Sequence, residues 1–143
     1  MAHRTLREII NQRDPVCAGP QTTVRDGCRH MADMRVKALL IVDHGKPVGI
    51  FTKRDLIDKV VVAGLDPETT ALADVMTTRM ESLDADRLGF EAVRVMRAEN
   101  IRHLIVTGLD GGFGVLSIHD ILGAEMADFE NELAFETKVW EEV

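Results

Sequence analysis

The sequence predicts an α+β protein built from two pseudo-symmetric βαββα units packed sheet to sheet, with helical extensions at both ends. The two halves of the chain match without a gap when one is shifted by 65 positions. Each half alternates between helical and strand periodicity in the same order. An apolar fraction of 45% is ample for a packed interior. A repeat with this patterning decides the architecture, because two small units can share one core.

The repeat is clearest between residues 24–57 and 89–122. Conservative pairs such as Val36 and Ile101 extend the match along the whole segment. The identical pairs are Arg29/Arg94, Met31/Met96, Leu39/Leu104, Gly49/Gly114 and Asp55/Asp120. An ungapped run of matched patterning favours a duplication over chance.

The elements follow in order within each copy. Short strands are expected near residues 16–18 and 81–83, and each leads to an amphipathic helix. The apolar positions of these helices are Val24, Cys28, Met31 and Ala32 in the first copy and Leu88, Ala92, Val95 and Met96 in the second. Apolar runs at 38–42 and 104–106 then lead into turns at 44–46 and 110–112 and return strands at 48–51 and 113–116, which predicts two hairpins. A second helix begins at Thr52 or Ser117, and in the first copy Leu56, Ile57, Val60 and Val61 form its buried stripe.

The repeat divides the chain into a first unit at 7–65 that includes the N-terminal helix, a second unit at 71–127, and a C-terminal amphipathic helix at 128–143. Gly64 and Pro67 mark the connector at 63–74. The apolar face of the C-terminal segment comprises Met126, Phe129, Leu133 and Trp140. This face either covers the core of its own chain or contacts a second subunit.

Charge and composition exclude several classes of function. A net charge of −7 disfavours nucleic acid as a partner, and the acidic residues of the C-terminal segment disfavour an anionic membrane. No apolar run is long enough to cross a bilayer, and the N-terminus lacks the apolar core of a signal peptide, so we expect a soluble cytoplasmic protein. Cys17 and Cys28 have no CxxC spacing and are interpreted as small buried apolar residues.

The residues that could bind a ligand or take part in chemistry lie at two strand-to-helix corners, Thr52–Asp55 and Ser117–Asp120. Each has a hydroxyl residue followed three positions later by aspartate, which is typical of a capping box. The same geometry suits a nucleotide, because a helix N-terminus attracts phosphate and a carboxylate can accept both hydroxyls of a ribose. Glycine before each corner would let a ligand approach the backbone. The motif alone does not decide between the two interpretations.

The sequence resembles the tandem cystathionine β-synthase (CBS) domain pair, or Bateman module, of stand-alone bacterial type, over residues 7–127. The resemblance is carried by GIFTKRD and GVLSIHD, by the strands RVKALLIVD and IRHLIV, and by Asp74-Val75-Met76-Thr77. It implies disc-like homodimers and an adenosyl ligand such as AMP, ATP, NAD/NADH or S-adenosylmethionine in each of two clefts between the repeats. The turn at 107–112 departs from the family pattern and predicts an irregular hairpin.

By resemblance, Asp55 and Asp120 hold ribose hydroxyls, and Thr52 and Ser117 face the phosphate. Arg54, His119 and Arg102 are candidate phosphate contacts. The adenine would be covered by the other repeat, with Val16, Val36 and Ala38 serving the Asp120 site and Glu81, Ile101 and His103 serving the Asp55 site. Ala38 is smaller than His103, so the Ser117–Asp120 site is expected to be the better one.

Three functions follow from these observations. The first is a non-catalytic regulatory module that binds an adenine nucleotide and signals to an unidentified protein in trans, with no cofactor or metal required. The second is a homodimeric scaffold or interaction module, independent of ligand, whose corners are only capping boxes. The third is an enzyme, which is disfavoured because the sequence has no P-loop, no metal-ligand spacing and no nucleophile–base pair.

Overall fold

The computed structural model describes residues 3–141, without the side chains of Ala124 and of residues 138–141. The predicted packing of Trp140 lies outside this description. The chain divides into two compact units. The first-repeat unit contains residues 14–80, and the second-repeat unit contains the described residues of 1–13 and 81–143.

Each unit contains a three-stranded sheet in which the first two strands are parallel and the last two are antiparallel. The first-repeat unit comprises β1 Cys17–Ala18, α2 Val24–Met34, β2 Ala38–Asp43, β3 Lys46–Thr52, α3 Lys53–Asp55, a π-helix Leu56–Val61 and α4 Leu72–Val75. The second-repeat unit comprises α1 Leu6–Ile10, β4 Ser82–Asp84, α5 Gly89–Glu99, β5 His103–Leu109, β6 Gly112–Ser117, a 3-10 helix Ile118–Asp120 and α6 Gly123–Glu141. The predicted α+β class is confirmed.

The 65-residue repeat is preserved in the hydrogen bonding of the sheets. Cys17 pairs with Leu40 in one unit, as Ser82 pairs with Ile105 in the other. Helices α2 and α5 both end at a left-handed residue, Arg35 and Asn100 respectively. The sheet register and the helix boundaries therefore agree with the alignment made from the sequence.

The two hairpins differ in their turns. His44 and Gly45 have φ values of 50° and 77°, as a two-residue type I′ turn requires. In the second hairpin the register shifts between Val106 and Leu109, and Gly108 has a φ of 77°. The expected irregularity at 107–112 is present.

The first helix of each repeat packs one face on its sheet. In α2 the buried residues are Val24, Gly27 and Met31, whereas Ala32 is exposed, contrary to the predicted face. The cause is a close approach by α4, because a Cβ atom on Gly27 would lie 3.1 Å from Leu72 Cδ1. The buried face of α2 is therefore turned toward Leu72.

The short helix before each repeat packs with the other repeat. The Leu6 N–H donates to the Arg87 carbonyl at 2.9 Å, so α1 belongs to the second-repeat unit. Correspondingly, the Leu72 N–H donates to the Thr22 carbonyl at 2.8 Å, and α4 belongs to the first-repeat unit. The boundaries 7–65, 71–127 and 128–143 divide the chain by repeat, whereas these contacts exchange the two helices.

The predicted stripe after Thr52 is only partly buried. Val60 is buried and Leu56 packs against the core, but Ile57 and Val61 are 55% and 66% exposed. Residues 56–61 form a π-helix, whose wider turn moves positions off the face expected for an α-helix. After Ser117 the chain forms one 3-10 turn before α6.

Two further expectations are wrong in detail. The C-terminal helix begins at Gly123 rather than at 128, and it buries Phe129 while leaving Leu133 44% exposed. Cys17 is exposed, contrary to the expectation that it is buried, whereas Cys28 is half-buried and packs against the core of the first-repeat unit. Among the described residues, no helix has the length and apolarity needed to cross a membrane.

Candidate functional site

Both corners have the backbone geometry of a helix N-cap. Thr52 and Ser117 are extended, with ψ values of 167° and 152°. The next residue in each unit donates its N–H to the carbonyl that precedes the central strand, Lys53 to Lys37 at 3.2 Å and Ile118 to Arg102 at 2.8 Å. The strand pair therefore holds each corner in the same conformation, and the predicted capping boxes are present.

Asp55 is tied by donors from its own unit. Its Oδ2 accepts from the Thr52 N–H at 2.9 Å and from the Thr52 hydroxyl at 3.2 Å. Its Oδ1 accepts from the Thr77 hydroxyl at 2.9 Å and lies 3.1 Å from Lys59 Nζ. The side chain is only 8% exposed. Both oxygens of this carboxylate are thus engaged in a buried network.

Asp120 has different hydrogen-bond donors, and one of them, the Arg13 side chain, contacts both carboxylate oxygens. Arg13 Nη1 donates to Oδ1 and Nη2 donates to Oδ2, both at 2.9 Å, in a bidentate pair. The Ser117 N–H also donates to Oδ2 at 2.8 Å. The Asp120 side chain is 20% exposed and that of Arg13 is 49% exposed. This carboxylate is therefore more accessible than that of Asp55.

The charge state of Asp120 reflects these partners. Burial raises its pKa, but the hydrogen bonds from Arg13 and Ser117, with the nearby charges of Arg13 and His103, outweigh burial. The net result is a pKa below the ordinary value of 3.8. Asp120 is consequently ionised at neutral pH and accepts hydrogen bonds through both oxygens.

Arg13 was missed by the sequence reasoning. It lies before the repeat and 107 positions from Asp120, so neither spacing nor periodicity connects the two. Asn11 and Gln12, which precede it, have φ values of 50° and 61°. The only available signal was a basic residue three positions after an amphipathic helix, which is too common to identify a contact.

The corner glycines accommodate protein side chains. A Cβ atom on Gly49 would lie 2.5 Å from Met76 Sδ, and one on Gly114 would lie 2.8 Å from Leu109 Cδ1 and 2.9 Å from Ile10 Cδ1. These contacts contradict the idea that the glycines leave room for a ligand. The space beside Gly49 is filled by Met76, which follows α4, and the space beside Gly114 is filled by Leu109 and by Ile10 of α1.

The remaining candidate residues serve their own units. Val16 and Val36 pack against the core of the first-repeat unit, and Ile101 packs against the core of the second. Ala38 pairs with Thr52, and His103 pairs with Ser117.

The basic candidates lie at the surface of their units. Arg54 is 73% exposed and 4.0 Å from Asp58. The His119 N–H donates to Ser117 Oγ at 3.1 Å, and the side chains of His119 and Arg102 are exposed. The assignment of adenine contacts across the repeats stays a prediction.

A family model described as the CBS domain matches residues 6–62 and again residues 72–127. The chain belongs to the CBS-domain family. The two matches cover most of the sequence, and the resemblance inferred from the corner motifs is thereby confirmed.

Known proteins similar to this CBS pair come from several kingdoms. A CBS domain-containing protein of Arabidopsis thaliana is 41% identical over 59% of this chain and 16% of its own length. An uncharacterized protein of Methanopyrus kandleri is 30% identical over 87% of this chain and 66% of its own length. The chain therefore spans only part of these curated relatives.

Solved structures with the same fold include a putative signal-transduction protein with CBS domains from Burkholderia ambifaria. It is 27% identical, with a TM-score of 0.76, and the match covers 87% of this chain and 95% of that one. A CBS domain protein of Pyrobaculum aerophilum complexed with AMP is 25% identical, with a TM-score of 0.75, and the match covers 89% and 98% of the two chains.

The geometry limits what each CBS corner can do chemically. A carboxylate has about four acceptor positions, two on each oxygen, so a ligand hydroxyl must replace an internal donor only where both positions of an oxygen are filled. At Asp55 each oxygen has two donors, so any exchange disrupts a buried network. At Asp120 Oδ1 accepts only from Arg13, whereas Oδ2 accepts from Arg13 and Ser117, so a diol that uses both oxygens must displace the half-exposed guanidinium from Oδ2. The described residues contain no group of three or more side chains that could hold a metal ion.

Proposed function

We propose that this CBS pair is a non-catalytic regulatory module that binds an adenine nucleotide at the Ser117–Asp120 corner and signals to a protein in trans. The observation that carries the proposal is the state of Asp120, an ionised carboxylate with an exposed fraction of 20%, three residues after the Ser117 N-cap. The AMP complex of the Pyrobaculum aerophilum relative supports the ligand class.

The corner offers the groups that a nucleoside phosphate needs. The Asp120 carboxylate can accept both hydroxyls of a ribose, which places two charge-assisted hydrogen bonds on the sugar. Arg102 and His119 provide exposed cationic or titratable side chains in the same unit. These groups favour a ribose with a phosphate next to it.

The proposed ligands are AMP, ATP and NAD/NADH, of which AMP is the first to test. The base is expected to contact Val16, Val36 and Ala38, as the family resemblance implies. A second site at Asp55, with Thr52, Arg54, Glu81, Ile101 and His103, is expected to bind more weakly because four donors fill the Asp55 carboxylate and its side chain is only 8% exposed.

Ligand-dependent thermal unfolding tests this function. On protein freed of nucleotide, AMP at 100 times its dissociation constant should stabilise the fold by about 2.7 kcal/mol. Asp120→Asn should abolish that increment, whereas Asp86→Asn should retain it. Asp86 is a suitable control because it is an aspartate of the same unit with a side chain 78% exposed. Failure of AMP, ATP and NAD alike to shift unfolding would contradict the proposal.

A second candidate, a homodimeric scaffold that needs no ligand, is favoured by one observation. Apolar side chains around the π-helix are exposed, namely Ile57, Val61, Val62 and Leu65 at 55%, 66%, 76% and 43%. A cluster of this kind is typical of an association surface. If the chain forms a homodimer there, Val61→Asp should yield monomers in sedimentation velocity, whereas Asp58→Asn, a charge change at a neighbouring side chain that is 62% exposed, should leave the dimer intact. A monomeric wild type would exclude the scaffold. A cytoplasmic location likewise remains a prediction.

A further inference from the structure

Each corner aspartate accepts a hydrogen bond from the segment of chain that follows α1 or α4. Thr77, two residues after α4, donates to Asp55 at 2.9 Å, and Arg13, three residues after α1, donates to Asp120 at 2.9 Å. The Thr77 contact lies within the first-repeat unit, and the Arg13 contact lies within the second-repeat unit. Corresponding segments of the two repeats therefore contact the two aspartates, but they do so through different side chains.

The Thr77 contact has a rigid support. Its N–H donates to the Ile50 carbonyl at 2.8 Å, and its carbonyl accepts from the Ile50 N–H at 2.9 Å. Lys59 Nζ lies 3.2 Å from Thr77 Oγ1 as well. Displacing Thr77 from Asp55 would break a backbone bridge together with the side-chain contact.

The Arg13 contact has a weaker support. Its backbone follows Asn11 and Gln12, two successive non-glycine residues in the left-handed region, which L-residues seldom adopt. Nη2 also donates to the Val115 carbonyl at 3.3 Å. The guanidinium is half-exposed, so the pair with Asp120 is open to solvent and to competing ligands.

We propose that Arg13 is an internal competitor for Asp120, which a ribose diol must displace before it can bind. A ribose diol needs an acceptor position on each Asp120 oxygen, and the guanidinium together with the Ser117 N–H fills both positions of Oδ2. The inference rests on the proposed function and adds a regulatory contact to that same site. Ligand affinity is then set partly by the equilibrium between the closed and released states of Arg13.

The effect on affinity follows from the fraction of molecules in which Arg13 is released. A ligand that binds only the released state has its apparent dissociation constant divided by that fraction. If about one molecule in ten is released, removing Arg13 should tighten binding about tenfold. Release also removes the side-chain contacts of Arg13 with Asp120 and Val115, so that residues 11–13 are held to α1 only through backbone hydrogen bonds such as that from the Arg13 N–H to the Ile10 carbonyl at 3.1 Å.

The decisive ligand is adenosine, because it carries the ribose diol without a phosphate that Arg13 could contact. Its dissociation constant should be measured by calorimetry for the wild type, Arg13→Ala, Arg13→Gln and Arg7→Ala. We expect both Arg13 variants to bind about tenfold more tightly. Arg7→Ala should match the wild type, since Arg7 contacts Asp86 and the Gly108 carbonyl instead. Circular dichroism of each variant verifies folding, and the glutamine variant retains a side chain of similar reach.

Hydrogen exchange provides an independent readout. Adenosine should increase exchange at residues 11–13 of the wild type, and the same residues should exchange rapidly in Arg13→Ala without ligand. Unchanged or weaker adenosine binding by both Arg13 variants would overturn the competitor. Asp120→Asn separates this failure from that of the proposed function. If Asp120→Asn abolishes binding while the Arg13 variants do not tighten it, the nucleotide site stands and the competitor is wrong; if Asp120→Asn binds normally, both fail.

Discussion

The Thr52–Asp55 and Ser117–Asp120 corners share a motif and a backbone conformation, yet their carboxylates lie in different environments. Asp55 is 8% exposed and held by the Thr52 backbone and hydroxyl, Thr77 and Lys59. Asp120 is 20% exposed and held by the Ser117 backbone and Arg13. The local sequence produces the same capping box in both repeats. The segment that follows α4 or α1 determines whether the carboxylate is buried or accessible.

Removal of the two carboxylates should give the largest difference in the free energy of unfolding between the corners. Asp55→Ala should lower the free energy of unfolding by about 2–3 kcal/mol, because buried donors lose their acceptor. Asp120→Ala should lower it by about 1 kcal/mol, since Arg13 regains solvent. Urea unfolding measures both, with exposed Asp86→Ala as the control. Equal losses would show that the two corners are energetically alike.

The glycines before the corners offer the next largest effect. Gly49→Ala should cost about 1–2 kcal/mol, because its Cβ would lie 2.5 Å from Met76 Sδ. In the background of Met76→Ala the cost should fall, and a double-mutant cycle measures that coupling. An additive cycle would mean that Met76 does not explain the glycine. Gly45→Ala is no substitute control, since its φ of 77° strains any side chain.

The Thr77 hydroxyl tests the support of Asp55 more finely. Thr77→Val keeps the shape of the side chain and removes its hydrogen bond, so stability should fall by about 1 kcal/mol. The exposed neighbour Thr78→Val should change stability by less than about 0.5 kcal/mol. Thermal unfolding of the pair checks this, and equal effects would exclude a role for the Thr77 contact.

The smallest expected effect is the pH dependence of the Arg13 contact. The pKa of Asp120 lies below its ordinary value of 3.8, so the contact contributes stability above that pH and loses it as the pH falls through the lower folded value. In Arg13→Ala the pKa of Asp120 should rise. The stability difference between wild type and Arg13→Ala should therefore shrink on acidification from about pH 6 to about pH 2. A difference independent of pH would show that the charge of Asp120 does not carry the contact.

Some site features were predictable because they are local. The caps at Thr52 and Ser117 follow from a hydroxyl residue and an aspartate three positions apart, and the structure contains both. The buried stripe at Ile57 and Val61 failed because π-helical hydrogen bonding replaced the assumed period. The function of the glycines was misjudged because Met76 and Ile10 approach from other parts of the chain.

The sequence by itself determined the duplication, the order of strands and helices and the two capped corners, because hydrophobic period and turn chemistry act over a few residues. Only the tertiary structure decided the exchange of α1 and α4 and the pairing of Arg13 with Asp120, 107 positions apart. Such contacts depend on which helix fills the space beside Gly49 or Gly114, and that choice is made by packing complementarity between distant segments.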